Sequence, residues 1–126
     1  MRPESRDAGL LWDVVRHARQ LRDRTHDVTE AGYLADRDGQ LIAERLLSIV
    51  GEAASKLSAE TRARYPDVPW ASIVAQRHVL VHDYGRIIQE KLWTVITVHV
   101  PALLASLRDV VPSPPPPSTS GWEDER

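Results

Sequence analysis

Residues 37–57, RDGQLIAERLLSIVGEAASKL, carry the most regular apolar pattern of the chain. Apolar side chains recur here every three or four positions, as they do along one face of an amphipathic helix. Gly51 lies inside this stretch, where glycine costs up to about 1 kcal/mol relative to alanine. We therefore predict a long helix over residues 37–57, with a neighbouring helix that approaches closely at Gly51. The positions that form the face are Ile42, Leu46, Ile49, Val50, Ala53 and Leu57.

The rest of the chain up to about residue 108 is also predicted to be helical. No stretch shows the apolar alternation of a strand next to hairpin turns. Pro101 lies inside the last predicted helix, where it should kink or split the axis. We therefore predict an all-α fold, an antiparallel bundle of about five helices. Spacing and capping residues predict the other helices over residues 7–25, 29–36, one turn capped by Ser58, 70–82 and 86–108.

The length and composition indicate one domain and a tail. A chain of 126 residues fits a single core, which we assign to residues 1–111. Residues 112–126, PSPPPPSTSGWEDER, are rich in proline and then acidic, a composition typical of disorder. The four consecutive prolines favour polyproline II, so the tail is either a docking peptide or, as we favour, a solubilising extension.

The charge balance limits the kinds of partner. Residues 1–111 contain 15 basic and 15 acidic residues, because the acidic tail accounts for the net charge of −2. A neutral body argues against a broad cationic surface for long nucleic acids, but it allows a site that holds one phosphate. Without cysteine, disulfides and thiolate zinc sites are excluded. The sequence has no signal or membrane segment that we recognise, so we expect a cytoplasmic protein.

Residues 77–84, RHVLVHDY, place a charge within a predicted core-facing stripe. Arg77 is in register with the apolar positions of this helix. A buried guanidinium needs a paired carboxylate or an anionic ligand. Two interpretations follow: an ion pair, with Glu52 as a candidate partner, or a site for an anion. The apolar positions of the predicted stripe are Trp70, Ile73, Val74, Val81 and Tyr84.

His82 lies near the end of the same helix. Five helical residues turn through about 500°, so Arg77 and His82 should point about 140° apart. They can face one phosphate only if the helix unwinds around His82 or if a second copy of the chain completes the site. His78 and His82 share a face and could begin a metal site, but no third ligand is evident. We favour two half-exposed histidines that stabilise the helix dipole when charged.

The spacing of Arg77, His82 and Tyr84 resembles the R-x4-H-x-Y motif of HepT-like toxins in the HEPN superfamily. The similarity extends over about residues 8–108. It includes a segment similar to the "IGEA" of that family and elements of its last helix. The residues that carry these further similarities are Pro69-Trp70, Ser48-Ile49-Val50-Gly51-Glu52-Ala53-Ala54, Leu92-Trp93 and Pro101.

The resemblance implies a homodimeric endoribonuclease that needs neither metal nor cofactor. It implies that His82 is the acid–base residue, since an imidazole exchanges protons near neutral pH. Arg77 would stabilise the charge that develops on the phosphoryl oxygens. His78 and Glu52 would support the site, and His78 could orient the RNA substrate or donate a second hydrogen bond to it.

The resemblance also implies how the toxin is silenced. A minimal nucleotidyltransferase antitoxin would transfer AMP to Tyr84, and the added bulk and negative charge would block phosphate binding. The alternative is a core tyrosine whose hydroxyl bonds a neighbouring carbonyl. Independently, the apolar residues of the last helix cover more than one face, so we expect part of that surface to meet a second subunit.

Two other functions remain open at this point. The chain could be a non-catalytic HEPN module that binds nucleotide or assists a partner nucleotidyltransferase. It could also be a helical interaction domain in which Arg77 is only a structural ion pair.

Overall fold

The computed structural model describes residues 3–112, and the side chains of residues 6–83 and 85–112. Within that range the chain is helical, with no strand, which confirms the all-α prediction. The predicted tail lies outside this range, except for Pro112, so the domain boundary stays a prediction. The helices are α1 (Pro3–Thr25), α2 (Glu30–Leu34), α3 (Arg37–Ser55), α4 (Ala59–Arg64), α5 (Trp70–His82), α6 (Gln89–Thr94) and α7 (Val100–Ser106).

Helix α3 is the centre of the bundle, because it packs against both α1 and α5. The predicted apolar face of α3 supplies much of the core, and helix α7 packs on α1. Helix α2 lies against α3 and α6. Buried residues of the core include Val14, Leu21, Leu46, Val50 and Trp70, together with Ile96, between α6 and α7, and Leu107, directly after α7.

Short polar side chains cap the N-termini of three helices. The hydroxyl of Thr29 accepts a hydrogen bond from the amide of Gly32, and Asp36 accepts one from the amide of Gly39. Ser58 accepts a bond from the Thr61 amide at 3.2 Å, which confirms the predicted cap of α4. These bonds satisfy amides that have no partner within the helix itself.

The last helical stretch begins later than predicted, and its α-helix is divided just before Pro101, where a kink or a split was predicted. Arg86 lies in a 3₁₀ turn, Tyr84–Arg86, and α6 begins only at Gln89. Between α6 and α7 the chain forms a π-helical turn, Val95–His99, immediately before Pro101. Proline has no N–H to bond the carbonyl four residues back, and we attribute the wider turn to this.

No helix within residues 3–112 is both long enough and apolar enough to cross a membrane.

Candidate active site

The Arg77 side chain lies between α5 and α3 and forms an ion pair with Glu52. Its Nη2 is 2.6 Å from Glu52 Oε2, so the predicted partner is confirmed. The guanidinium is only partly enclosed, because 30% of the Arg77 side chain is exposed. Arg77 Nε is buried and has no hydrogen-bond partner in the part of the chain that the structure describes. Because Nε is buried, an anion would have to approach Arg77 at the exposed part of its side chain.

Gly51 determines how closely α3 and α5 approach at Arg77. A Cβ atom at this position would overlap the Cβ of Arg77 and lie 3.2 Å from the carbonyl oxygen of Ile73. The close approach predicted from the sequence is confirmed. The backbone of α3 therefore supports the base of the Arg77 side chain, while Glu52, one residue later, holds its tip.

A second cation shares the Glu52 carboxylate. Lys56 Nζ lies 3.2 Å from Glu52 Oε1, so each oxygen of Glu52 faces a different positive charge. This contact was not predicted from the sequence, although the spacing of four residues on one helix is the usual signal for it.

The core-facing stripe of α5 differs from the predicted one at its carboxyl end. Trp70 is buried and its indole N–H donates to the carbonyls of Arg62 and Tyr65. The prediction for Val81 was wrong, since Val81 is 41% exposed and Leu80 takes the buried position. Adjacent helical residues point about 100° apart, so only one of the two can face the core.

His78 and His82 both lie away from the core on α5, and both are exposed. Their ring centroids are 4.9 Å apart, with the rings tilted by 49°. The chain stays α-helical through His82 and leaves the helix only at Asp83. The helix therefore does not unwind around His82, and regular geometry separates Arg77 from His82 by about 140°.

Within the described part of the chain, the two histidines do not belong to a group of metal ligands. Among residues 3–112 the structure shows no group of three His, Asp or Glu side chains that could hold a metal ion. Zinc sites require at least three protein ligands. The pair His78–His82 falls short of that number within the described residues.

An apolar groove runs between α5 and the C-terminal helices. Gln76 and Val95 line two neighbouring cavities of about 230 and 290 Å³, so these cavities belong to one groove. Ile88 and Val98, at 48% and 56% exposure, are large apolar side chains on this same C-terminal part of the chain.

Comparison with known protein families matches residues 14–110 to the family described as ribonuclease HepT-like. The chain belongs to the HepT-like ribonuclease family. The prediction made from Arg77, His82 and Tyr84 is confirmed at this level, and membership supports a ribonuclease of the HEPN type. The structure does not describe the side chain of Tyr84.

Curated relatives of this HepT-like chain align over most of their length. A candidate RNase of Methanocaldococcus jannaschii is 28% identical over 109 residues, which are 86% of this chain and 90% of the relative. A candidate RNase of Caldanaerobacter subterraneus is 31% identical, over 80% of this chain and 90% of the relative. The probable ribonuclease HepT of Thermococcus cleftensis is 25% identical, over 74% and 84%. No solved structure matches the chain significantly.

Proposed function

We propose that this HepT-like protein is the toxin of a toxin–antitoxin pair and that it cleaves RNA without a metal ion. The observation that carries the proposal is the placement of Arg77 and His82 on one regular helix. Arg77 is held against α3 by Glu52, whereas His82 is exposed at the carboxyl end. One chain thus offers an anion-binding group and a proton-transfer group on different sides of α5. If two copies faced each other, the His82 of one copy could lie opposite the Arg77 of the other and complete a site.

The chemistry follows from the groups that the two copies supply. The neutral imidazole of one His82 takes the proton of a ribose 2′-hydroxyl, and that oxygen attacks the adjacent phosphorus. The bond from phosphorus to the 5′-oxygen breaks, and a protonated imidazole gives its proton to that oxygen. The products are a 2′,3′-cyclic phosphate and a 5′-hydroxyl. Arg77 stabilises the charge on the non-bridging oxygens, and His78 orients the substrate.

The apolar groove beside α5 supports the dimer that this mechanism needs. Ile88 lines the groove and is exposed, and Val98 is exposed on the same C-terminal part of the chain. Exposed apolar patches mark interaction sites. Val81 is exposed near the end of α5 between His78 and His82. A second copy that covers these side chains would also exclude water from the phosphate and strengthen its interaction with Arg77.

Silencing would act at Tyr84, in the 3₁₀ turn directly after α5. A minimal nucleotidyltransferase partner would join the Tyr84 oxygen to the α-phosphorus of ATP and release pyrophosphate. The new phosphodiester adds a negative charge two residues from His82, where it competes with RNA phosphate for the cationic groups.

A second candidate function is a non-catalytic HEPN subunit that binds nucleotide or assists a partner nucleotidyltransferase. The ion pair with Glu52 is compatible with this function as well, because it orients Arg77 toward an anion of either kind. In that case a bound nucleotide phosphate, rather than RNA, would meet the exposed part of Arg77.

Cleavage of RNA by the purified full-length protein in EDTA tests the main proposal. We expect the wild type to release 2′,3′-cyclic phosphate ends, and we expect His82→Ala to lose at least about a hundredfold in rate. Retained cleavage by His82→Ala would overturn the mechanism. An inactive wild type that binds ATP would favour the second candidate.

Intact-mass measurement after incubation with the partner nucleotidyltransferase and ATP tests the silencing. We expect additions of the mass of AMP on the wild type and none on Tyr84→Phe. Equal modification of the two proteins would place the target elsewhere.

A further inference from the structure

We propose that Gln89 is a positioning residue for the cleavage site, because its amide holds the segment after His82 against α2 and α3. The proposal rests on the ribonuclease activity proposed above. The segment concerned is residues 83–88, which connects α5 to α6 and includes Tyr84. Gln89 is the first residue of α6 and lies seven positions after His82.

The Gln89 side chain uses both ends of its amide in contacts with other helices. Its Oε1 accepts a hydrogen bond of 2.6 Å from the Tyr33 hydroxyl on α2. Its Nε2 donates a bond of 2.8 Å to Glu44 Oε2 on α3. One side chain therefore joins three helices at the end of the segment that follows the motif.

Both partners of Gln89 are themselves held in place. The Tyr33 ring is buried and stacks on Trp93 of α6, with ring centroids 5.1 Å apart. Burial, reinforced by the nearby Glu44 carboxylate, raises the pKa of Tyr33 to about 12, so its hydroxyl keeps the proton that it donates. Glu44 lies 3.4 Å from Arg37 Nη1 and is mostly enclosed. The Gln89 amide thus meets a fixed donor and a fixed acceptor.

The segment itself makes few other hydrogen bonds in the described part of the chain. Asp83 bonds back to Val79 within α5, and the Arg86 amide bonds to the Asp83 carbonyl. The side-chain pair Arg86–Asp83 is local and largely exposed. None of these bonds joins residues 83–88 to α2 or α3. The link at Gln89 therefore anchors the carboxyl end of this segment to α2 and α3, and through the segment it restrains the turn that follows His82.

Gln89→Leu tests the inference, since leucine keeps the approximate size and removes both hydrogen bonds. We expect kcat for RNA cleavage to fall about tenfold while KM changes less than about twofold, because Arg77 and its phosphate contact are untouched. Hydrogen exchange of the amides of residues 83–88 should become faster. Tyr33→Phe, which keeps the stack on Trp93, should show a smaller loss of kcat in the same direction.

Gln89→Glu supplies a rescue by pH, to be read together with the melting temperature of the variant at each pH. The carboxyl group introduced by this substitution would face Glu44, with Tyr33 and Arg37 as the other ionisable neighbours. Two adjacent carboxylates repel unless they share a proton, and the introduced carboxyl, once protonated, could donate to Glu44 as the glutamine does. We expect the ratio of kcat in this variant to kcat in the wild type to rise as pH falls from about 8 to about 5.5.

Thr61→Val is the matched control, because it removes a buried hydrogen bond to Asp7, on α1. The other side-chain hydrogen bonds described for Thr61 join it to Ser58 and Arg64, and not to Gln89 or α5. It should lower the melting temperature while kcat stays within about twofold of the wild type. Equal kcat in Gln89→Leu and the wild type would overturn this inference alone. So would a loss of kcat in Thr61→Val as large as in Gln89→Leu. An inactive wild type would overturn the proposed function as well, so the two failures are distinguishable.

Discussion

Glu52 and Arg77 join the central helix α3 to α5 through a contact of 2.6 Å between Oε2 and Nη2. The two side chains are 42% and 30% exposed, so solvent screens their attraction. Pairs of this kind contribute about 1 kcal/mol or less to stability. The contact therefore matters mainly for where the guanidinium points, and the first prediction follows from this.

Glu52→Gln should lower RNA cleavage more than it lowers stability. The amide can still accept a bond from Arg77, but it no longer holds the guanidinium by charge. We expect kcat/KM to fall about tenfold, equivalent to ~1.4 kcal/mol, with a change in unfolding free energy below about 1 kcal/mol. Steady-state kinetics and urea denaturation measure the two effects. Lys56→Ala is the control, because Lys56 contacts the other Glu52 oxygen and not Arg77, and it should leave kcat/KM nearly unchanged.

Gly51→Ala should destabilise the protein although alanine is the better helix former. The new methyl group would overlap the Arg77 Cβ and press on the Ile73 carbonyl, which belongs to the backbone and cannot turn away. We expect a loss of about 1–3 kcal/mol in the free energy of unfolding, measured by circular dichroism in urea. Gly9→Ala in α1 is the matched control, since nothing lies within 4 Å of its added Cβ. It should stabilise by up to about 1 kcal/mol, and equal effects at both positions would contradict the close packing at Gly51.

Asp7 should make stability depend on pH in the acid range. Burial raises the pKa of Asp7, but hydrogen bonds from Ser58 and Thr61 outweigh it and hold the pKa below 3.8. A carboxyl with a lowered folded-state pKa contributes stability that is complete above its unfolded pKa and is lost as pH falls through the folded one. Asp7→Asn should therefore lose about 1–3 kcal/mol at neutral pH.

The difference in unfolding free energy between the wild type and Asp7→Asn should stay constant from pH 7 to about pH 5 and decrease below about pH 3.8. Urea denaturation at several pH values measures it. If this difference stayed unchanged down to the lowest pH at which the protein folds, the stabilisation would not come from the ionised Asp7 carboxylate.

Ile88→Asp should dissociate the proposed dimer and lower cleavage in parallel. Ile88 is 48% exposed beside the apolar groove, where a buried aspartate would oppose association. Light scattering at micromolar concentration should give the mass of a dimer for the wild type and a shift toward monomer for the variant. Leu41→Asp is the control, because Leu41 is equally exposed, at 47%, on α3. Equal dissociation by both variants, or a monomeric wild type, would contradict the proposed interface.

Local sequence patterns determined the helices and the family of this protein. The bounds of α5 and the cap at Ser58 were predictable because periodicity and capping depend on neighbouring residues. The motif of Arg77, His82 and Tyr84 was readable for the same reason, since its spacing lies within one helix and the turn after it. Gly51 also indicated its role, because a glycine is costly in a helix unless another backbone needs its space.

Only the tertiary structure decided which residues meet across the bundle. The bond from Tyr33 to Gln89 spans 56 positions and that from Ser58 to Asp7 spans 51, and no local pattern marks either pair. Leu80, and not Val81, is buried because of the rotation of α5 about its axis relative to α3. This rotation cannot be predicted from the sequence of α5 alone. Polar contacts of this kind follow from the packing of apolar faces. The packing of these faces fixes the positions of the helices, and polar side chains at the edges of the faces then form hydrogen bonds with the residues that lie opposite.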